Sequence, residues 1–227
     1  MASPSQILAH AKLYRVINTE LALKIAFEPG EADAVEKRMY ERLGTSHPLI
    51  LKCYGEAESV LGKGLVLQYL PVGTLAGNLE LERFPIERSQ WPAQAVEAIR
   101  YIHSKGVIHC DIGAHNFLIQ NDGSIALADF CGSILDGSTS LAATSARSTE
   151  KDDIFALGTV LYEISVGHRL YADRSDGEIW ELFQKREFPC LTGLARSLRS
   201  VIEKCWRDQY NSTEEVKSDL DIAIDRL

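Results

Sequence analysis

The sequence predicts an α+β fold, in which a small antiparallel sheet carrying one helix is followed by a mainly helical part. Three observations lead there. Short apolar runs separated by turn residues fill roughly the first 70 residues. After Pro71-Val72-Gly73 the apolar spacing becomes helical. Residues 153–166, Asp-Ile-Phe-Ala-Leu-Gly-Thr-Val-Leu-Tyr-Glu-Ile-Ser-Val, are apolar almost all round, as in a helix buried at the centre of a domain.

Residues 13–17 and 21–27 read as strands joined by an Asn18-Thr19-Glu20 turn, and Pro29-Gly30 ends the second. Over 31–43, Val35, Met39 and Leu43 share one stripe of an amphipathic helix, with Glu36 and Tyr40 beside it and Gly44 as its stop. Residues 49–53 and 64–70 are expected as two further strands. Helix 89–105 turns Trp91, Ala95, Ile99 and Ile102 inward. Strand-like runs near 107–109 and 125–128 flank a loop of polar and small residues. Helices near 177–186, 194–206 and 212–226 follow, the last opening on a Ser212-Thr213-Glu214-Glu215 capping box.

Composition narrows the function classes. The 227 residues are 45% hydrophobic and 25% charged, which suits one globular domain with a substantial core. The net charge is −8 and no Lys/Arg block occurs, which argues against nucleic acid or an anionic membrane as a partner. The cysteines, Cys53, Cys110, Cys131, Cys190 and Cys205, are odd in number, widely spaced and free of C-x-x-C pairs. Reduced intracellular thiols, and so a cytoplasmic location, are expected rather than disulfides or a zinc site. The N-terminus has no signal pattern, and no apolar run is long enough to span a bilayer.

The chemistry concentrates in His109-Cys110-Asp111-Ile112-Gly113-Ala114-His115-Asn116-Phe117-Leu118, followed by Asp129-Phe130-Cys131-Gly132. Phosphoryl transfer needs a carboxylate to orient the attacking hydroxyl and oxygen ligands for a magnesium ion on the phosphates. An Asp and an Asn five apart on one loop, with a second Asp after a strand, can supply both. Taken alone, the same residues would also fit a surface loop.

This stretch resembles the H-R-D-L-x-x-x-N catalytic loop and the D-F-G motif of protein kinases. The resemblance implies Asp111 as catalytic base, with Asn116 and Asp129 as Mg2+ ligands. Ala22-Leu23-Lys24 resembles the V-A-I-K strand, which implies that Lys24 holds the nucleotide phosphates and that Glu36 is its ion-pair partner. A lone Lys on a strand or Glu on a helix is ordinarily solvated; their order upstream of the loop favours the pair. Leu65-Val66-Leu67-Gln68-Tyr69-Leu70-Pro71 resembles the adenine-binding strand and hinge. Leu67 then stands as gatekeeper, backbone groups of Gln68 and Leu70 meet the base, and Ala22 and Leu118 lie around it. Leu67 and Leu118 serve the core in either case. Asp153-Ile-Phe-Ala-Leu-Gly158 resembles the buried helix whose Asp braces the catalytic loop, and Cys205-Trp206 the end of the helical lobe. The wording of the loop is similar to that of small single-domain fungal kinases.

The pattern is broken in five places. The G-x-G-x-x-G spacing falls on Gln6, Leu8 and Ala11, none of them glycine, with little chain before them for a first strand. Cys110 stands where the family has Arg, so control by activation-loop phosphorylation is not expected. Gly113 stands where serine/threonine kinases have Lys, removing a charge from the transferring phosphoryl. Cys131 replaces the Gly of D-F-G; with no basic neighbour in sequence, neither Cys110 nor Cys131 is expected to be a redox site. Between Phe130 and Asp153 there is no Pro and no A-P-E motif, and Ser138–Thr149 reads as a flexible loop.

The resemblance implies a bilobal protein-kinase domain over 1–227, with a sheet lobe over about 7–70, a helical lobe over about 71–227, and truncations at the Gly-rich loop and in the activation segment. It implies ATP and Mg2+ as cofactors, a protein substrate with a Ser or Thr hydroxyl, and a monomer. The alternative is a pseudokinase, a nucleotide-binding or structural interaction module. A small-molecule kinase of the aminoglycoside-phosphotransferase type fits the Asp153 helix and the Cys205-Trp206 ending less well.

Overall fold

The computed structural model describes residues 4–7, 11–27, 30–80, 84, 86–135 and 148–224. The first strands, β1 (Pro4–Ile7), β2 (Ala11–Arg15) and β3 (Leu21–Ala26), form antiparallel pairs. The β2–β3 turn is tight because Asn18 takes a left-handed φ of 60° and Val16 N–H donates to Leu21 O at 2.9 Å. Helix α1 (Glu31–Leu43) follows, then β4 (Cys53–Ser59) and β5 (Gly62–Gln68). The five strands run in the order β1-β2-β3-β5-β4.

The remainder is mainly helical: α2 (Trp91–Ser104), α3 (Glu150–Val166), α4 (Asp176–Gln184), α5 (Arg196–Trp206) and α6 (Thr213–Ile224). Two small antiparallel ladders lie between α2 and α3. One pairs β6 (Val107–Ile108) with β9 (Ile134–Leu135), the other β7 (Phe117–Ile119) with β8 (Ile125–Leu127). Helix α3 runs through the core with Ile154, Leu157, Val160, Leu161 and Ile164 buried. Each such side chain contributes about 1.5–3 kcal/mol.

Backbone bonds join the sheet to the helical part beside the ladder that carries the candidate site. Leu127 N–H donates to Leu49 O at 2.8 Å, and Leu51 N–H to Leu127 O at 2.9 Å. After β5 the chain lies along β7, where Leu75 N–H meets Phe117 O at 2.7 Å and Ile119 N–H meets Gly73 O at 2.9 Å. Among the described residues no helix is long and apolar enough to cross a membrane.

Several expectations need correction. A first strand does form, ahead of the strand expected at 13–17, which itself sits at Ala11–Arg15. The strand expected at 49–53 starts at Cys53 and runs to Ser59. Its Glu56, Ala57, Glu58 and Ser59 are all exposed and carry no apolar alternation, so nothing in the side chains marks them as a strand. Helix α3 starts three residues before the expected Asp153, because Thr149 and Asp152 form a capping box. The box expected at Ser212 is different: Glu215 reaches back to Asn211 N–H at 2.9 Å, and Thr213 Oγ1 is engaged with His103 Nδ1. Most of the loop expected at 138–149 lies outside the described residues.

Gly158 is where α3 packs closest on α5. A Cβ there would stand 2.7 Å from Cys205 Cβ and 3.2 Å from Trp206 Cδ1. Gly158→Ala gains about 1 kcal/mol of helix propensity, yet overpacking of about 1–3 kcal/mol opposes it at a contact that neither rigid partner can relieve. Net destabilisation is expected in urea unfolding; a variant as stable as the parent would show that α3 and α5 are free to separate.

Candidate active site

Strand β3 buries three consecutive residues, Ala22, Leu23 and Lys24; it lies inside the sheet between β2 and β5, and its Ala22 and Lys24 face the cleft, where Glu36 of helix α1 meets the lysine. Lys24 is only 9% exposed and Glu36, on α1, 1%. The Lys24 Nζ lies 2.8 Å from Glu36 Oε2 and 2.7 Å from Asp129 Oδ1. One cation thus joins a strand, a helix and a loop 105 residues further along the chain. Burial would lower the Lys24 pKa, but Glu36 and Asp129 outweigh it and raise it well above the ordinary lysine value. Burial would raise that of Asp129, yet Lys24 and the Cys131 thiol hold the carboxyl below its usual range. Burial raises the Glu36 pKa, against the pull of Lys24.

Next to this cluster stands a column of rings. Tyr40, one turn beyond Glu36 on α1, meets Phe130 edge-on at 5.1 Å, and Phe130 meets His109 at 5.0 Å. His109 is fully buried, with its pKa lowered by burial; its Nε2–H donates to Ala128 O at 3.1 Å. The backbone turns sharply at both motifs: Asp129 has φ 63°, a left-handed conformation that aspartate tolerates, and Cys110 has φ 68°, which costs a cysteine more and calls for a constraint. At Cys110 the constraint is Asp153 on α3. Its Oδ2 accepts from His109 N–H at 2.7 Å, its Oδ1 from Cys110 N–H at 2.9 Å, and His103 Nε2 lies 3.0 Å from Oδ2.

Past this turn the loop presents Asp111. Asn116 Nδ2 donates to Asp111 O at 2.8 Å and to Asp111 Oδ2 at 2.9 Å; His115 Nε2 lies 3.3 Å from the same oxygen. Burial would raise the Asp111 pKa, but the hydrogen bond and charge of His115 outweigh it and lower it. The same hydrogen bond raises the His115 pKa.

These groups open into one cleft of about 300 Å3. Its lining includes Lys24, Glu36, Asp129, Asn116, Ala22, Leu67, Gln68, Leu70 and Leu118, so nine of the ten sequence-selected residues surround it; the tenth, Asp111, is bonded to Asn116 at its edge. Ala22, Leu67 and Leu70 are apolar and buried. Among the described residues Leu70 N–H has no protein acceptor, although the residue is 7% exposed. Gln68 N–H, by contrast, donates to Lys52 O at 2.8 Å, which leaves its carbonyl as the only backbone group for a ligand. An apolar slot with one unspent buried donor, leading to a lysine and two oxygen ligands, fits a purine nucleotide with a magnesium ion on its phosphates.

A family model described as Protein kinase domain matches residues 14–213. The chain belongs to the protein kinase family. Similar curated proteins include Aurora kinase A-B of Xenopus laevis, 29% identical over 221 residues that cover 88% of this chain and 54% of the relative. Mitogen-activated protein kinase kinase kinase 17 of Arabidopsis thaliana is 27% identical over 180 residues, 69% of this chain and 48% of the relative. Serine/threonine-protein kinase RUNKEL of Arabidopsis thaliana is 32% identical over 178 residues, 70% of this chain and 13% of the relative. The chain spans about half the length of the first two relatives.

Sequence reasoning did not single out several other lining residues of this kinase domain, among them Leu13 on β2, Leu51, Thr74, Ala128 and His115. Thr74 could have been sought through its place after the hinge, since it bridges to Leu118. Among the described residues no three His, Cys, Asp or Glu cluster to hold a metal unaided. A magnesium ion here would rely on Asn116, Asp129 and phosphate oxygens together.

All five cysteines are free. Burial pushes the Cys110 thiol up to about 11 and that of Cys131, beside Asp129, up to about 12. Cys190 is exposed and its thiol is lowered by hydrogen bonds from Thr192. Since the thiolate is the reactive form, iodoacetamide at about pH 7.5 is expected to label Cys190 before Cys110 or Cys131. Peptide mass spectrometry reads the order, and equal rates would contradict the burial of the two site thiols.

Proposed function

We propose that this kinase domain transfers the γ-phosphoryl group of Mg-ATP to a Ser or Thr hydroxyl of a protein. The observation that carries the reading is the convergence of Lys24, Glu36 and Asp129 on the cleft that Asn116 and Asp111 border. Magnesium, when bound, neutralises charge on the transferring phosphates. The chain's own residues do the rest. Lys24, fixed by Glu36, draws the phosphates to the end of the cleft. Asn116 and Asp129 offer the metal its protein oxygens. Asp111 accepts the proton of the attacking hydroxyl. The Leu70 N–H and Gln68 carbonyl meet the base between Ala22, Leu67 and Leu118. The serine/threonine preference takes support from the printed name of RUNKEL, and the free thiols suit a reducing, cytoplasmic setting.

The absence of glycine at Gln6, Leu8 and Ala11 favours a second reading, a pseudokinase that binds nucleotide without turnover. A phosphorylation assay with Mg-ATP and a generic protein substrate separates the two. Asp111→Asn is expected to lower kcat by about 10²- to 10⁴-fold, the usual span for a general base. Lys24→Met is expected to abolish the melting-temperature rise that Mg-ATP confers by mass action. Thermal stabilisation of the parent with no turnover above Asp111→Asn would replace the first reading by the second.

A further inference from the structure

The loop from Cys110 to Asn116 contains a vacancy filled in an unusual way. Gly113 does not sit in the left-handed region, so its backbone would accept any L-residue. What a side chain there would meet is His115, whose Cε1 and Nδ1 a Cβ at position 113 would overlap, so the ring would have to move aside. The imidazole therefore lies in the space a residue-113 side chain would take, and from there its Nε2 reaches Asp111 Oδ2 at 3.3 Å.

That oxygen already accepts from Asn116 Nδ2 at 2.9 Å. Both donors thus act on Oδ2, and among the described residues no group donates to Oδ1. The Asp111 side chain is 65% exposed, so packing contributes little to holding its rotamer; hydrogen bonds must do it. A carboxylate tied at one oxygen by two donors presents the other in a fixed direction. We propose that His115 is a positioning residue for Asp111: from the space left by Gly113 it pins one carboxylate oxygen and aims the other at the substrate hydroxyl. The inference rests on the phosphotransfer reading, since it assigns Asp111 the proton-accepting role.

The test is a cycle of four variants of the full chain, Asp111→Asn, His115→Ala, His115→Gln and Gly113→Ala, plus the double Gly113→Ala/His115→Ala. Turnover is measured beside the melting shift given by a magnesium complex of a non-hydrolysable ATP analogue. His115→Ala is expected to lower kcat by about 10- to 100-fold, the scale of a misaimed catalytic group, with the KM for ATP and the melting shift unchanged. His115→Gln keeps an N–H donor within reach and recovers part of that loss. Gly113→Ala displaces the ring, so it lowers kcat while His115 is present and adds nothing once His115 is alanine. Unchanged kcat in His115→Ala, no recovery in His115→Gln, equal Gly113→Ala losses in both backgrounds, or a lost melting shift would each overturn the inference while leaving phosphotransfer standing. A parent no faster than Asp111→Asn would overturn both.

Discussion

The carboxylate of Asp153 is the constraint on which the candidate site depends. A buried carboxylate without partners would be strongly unfavourable. Here its two oxygens take backbone N–H groups from His109 and Cys110 and a third contact from His103. The exchange works in both directions: the donors offset the burial of the charge, and the charge holds Cys110 in its left-handed turn. His103 extends the link to Thr213 at the start of α6, so helices α2, α3 and α6 meet at the point where the loop departs. Everything from Asp111 to Asn116 is aimed by that departure.

Lys24 performs the matching task on the other side of the cleft. Its stem is buried in the sheet and its ammonium is shared by two carboxylates from distant parts of the chain. Removing either acid would leave the cation less well compensated, which is why the cluster has to be read as three residues rather than as pairs. The ring column of Tyr40, Phe130 and His109 lies alongside and gives the same elements an apolar contact.

Much of this was legible because motifs and their order carry it. The grouping of Lys24, Glu36, Asp111, Asn116 and Asp129 came through the resemblance of their motifs to those of protein kinases; residue type alone would have left the lysine and the glutamate as solvated side chains. The long helices were legible from period, with ends displaced by a few residues where capping side chains decide. Strand β4 was not, since its residues from Glu56 to Ser59 are exposed and show no apolar alternation. Strands β7 and β9, the partners of the runs expected near 125–128 and 107–109, were not singled out. His115 was not legible for a different reason. Its position takes on meaning only through the empty volume above Gly113, and an absence of side-chain atoms at one residue says nothing in sequence about what fills the gap.

Helix α1 holds two contacts beside the Asp129-Phe130 turn: Glu36 meets Lys24, the lysine that also pairs with Asp129, and Tyr40, four residues on, meets the Phe130 ring. Both side chains are carried by the same helix, one turn apart. A shift of the helix as a body would therefore weaken the charged and the apolar contact together.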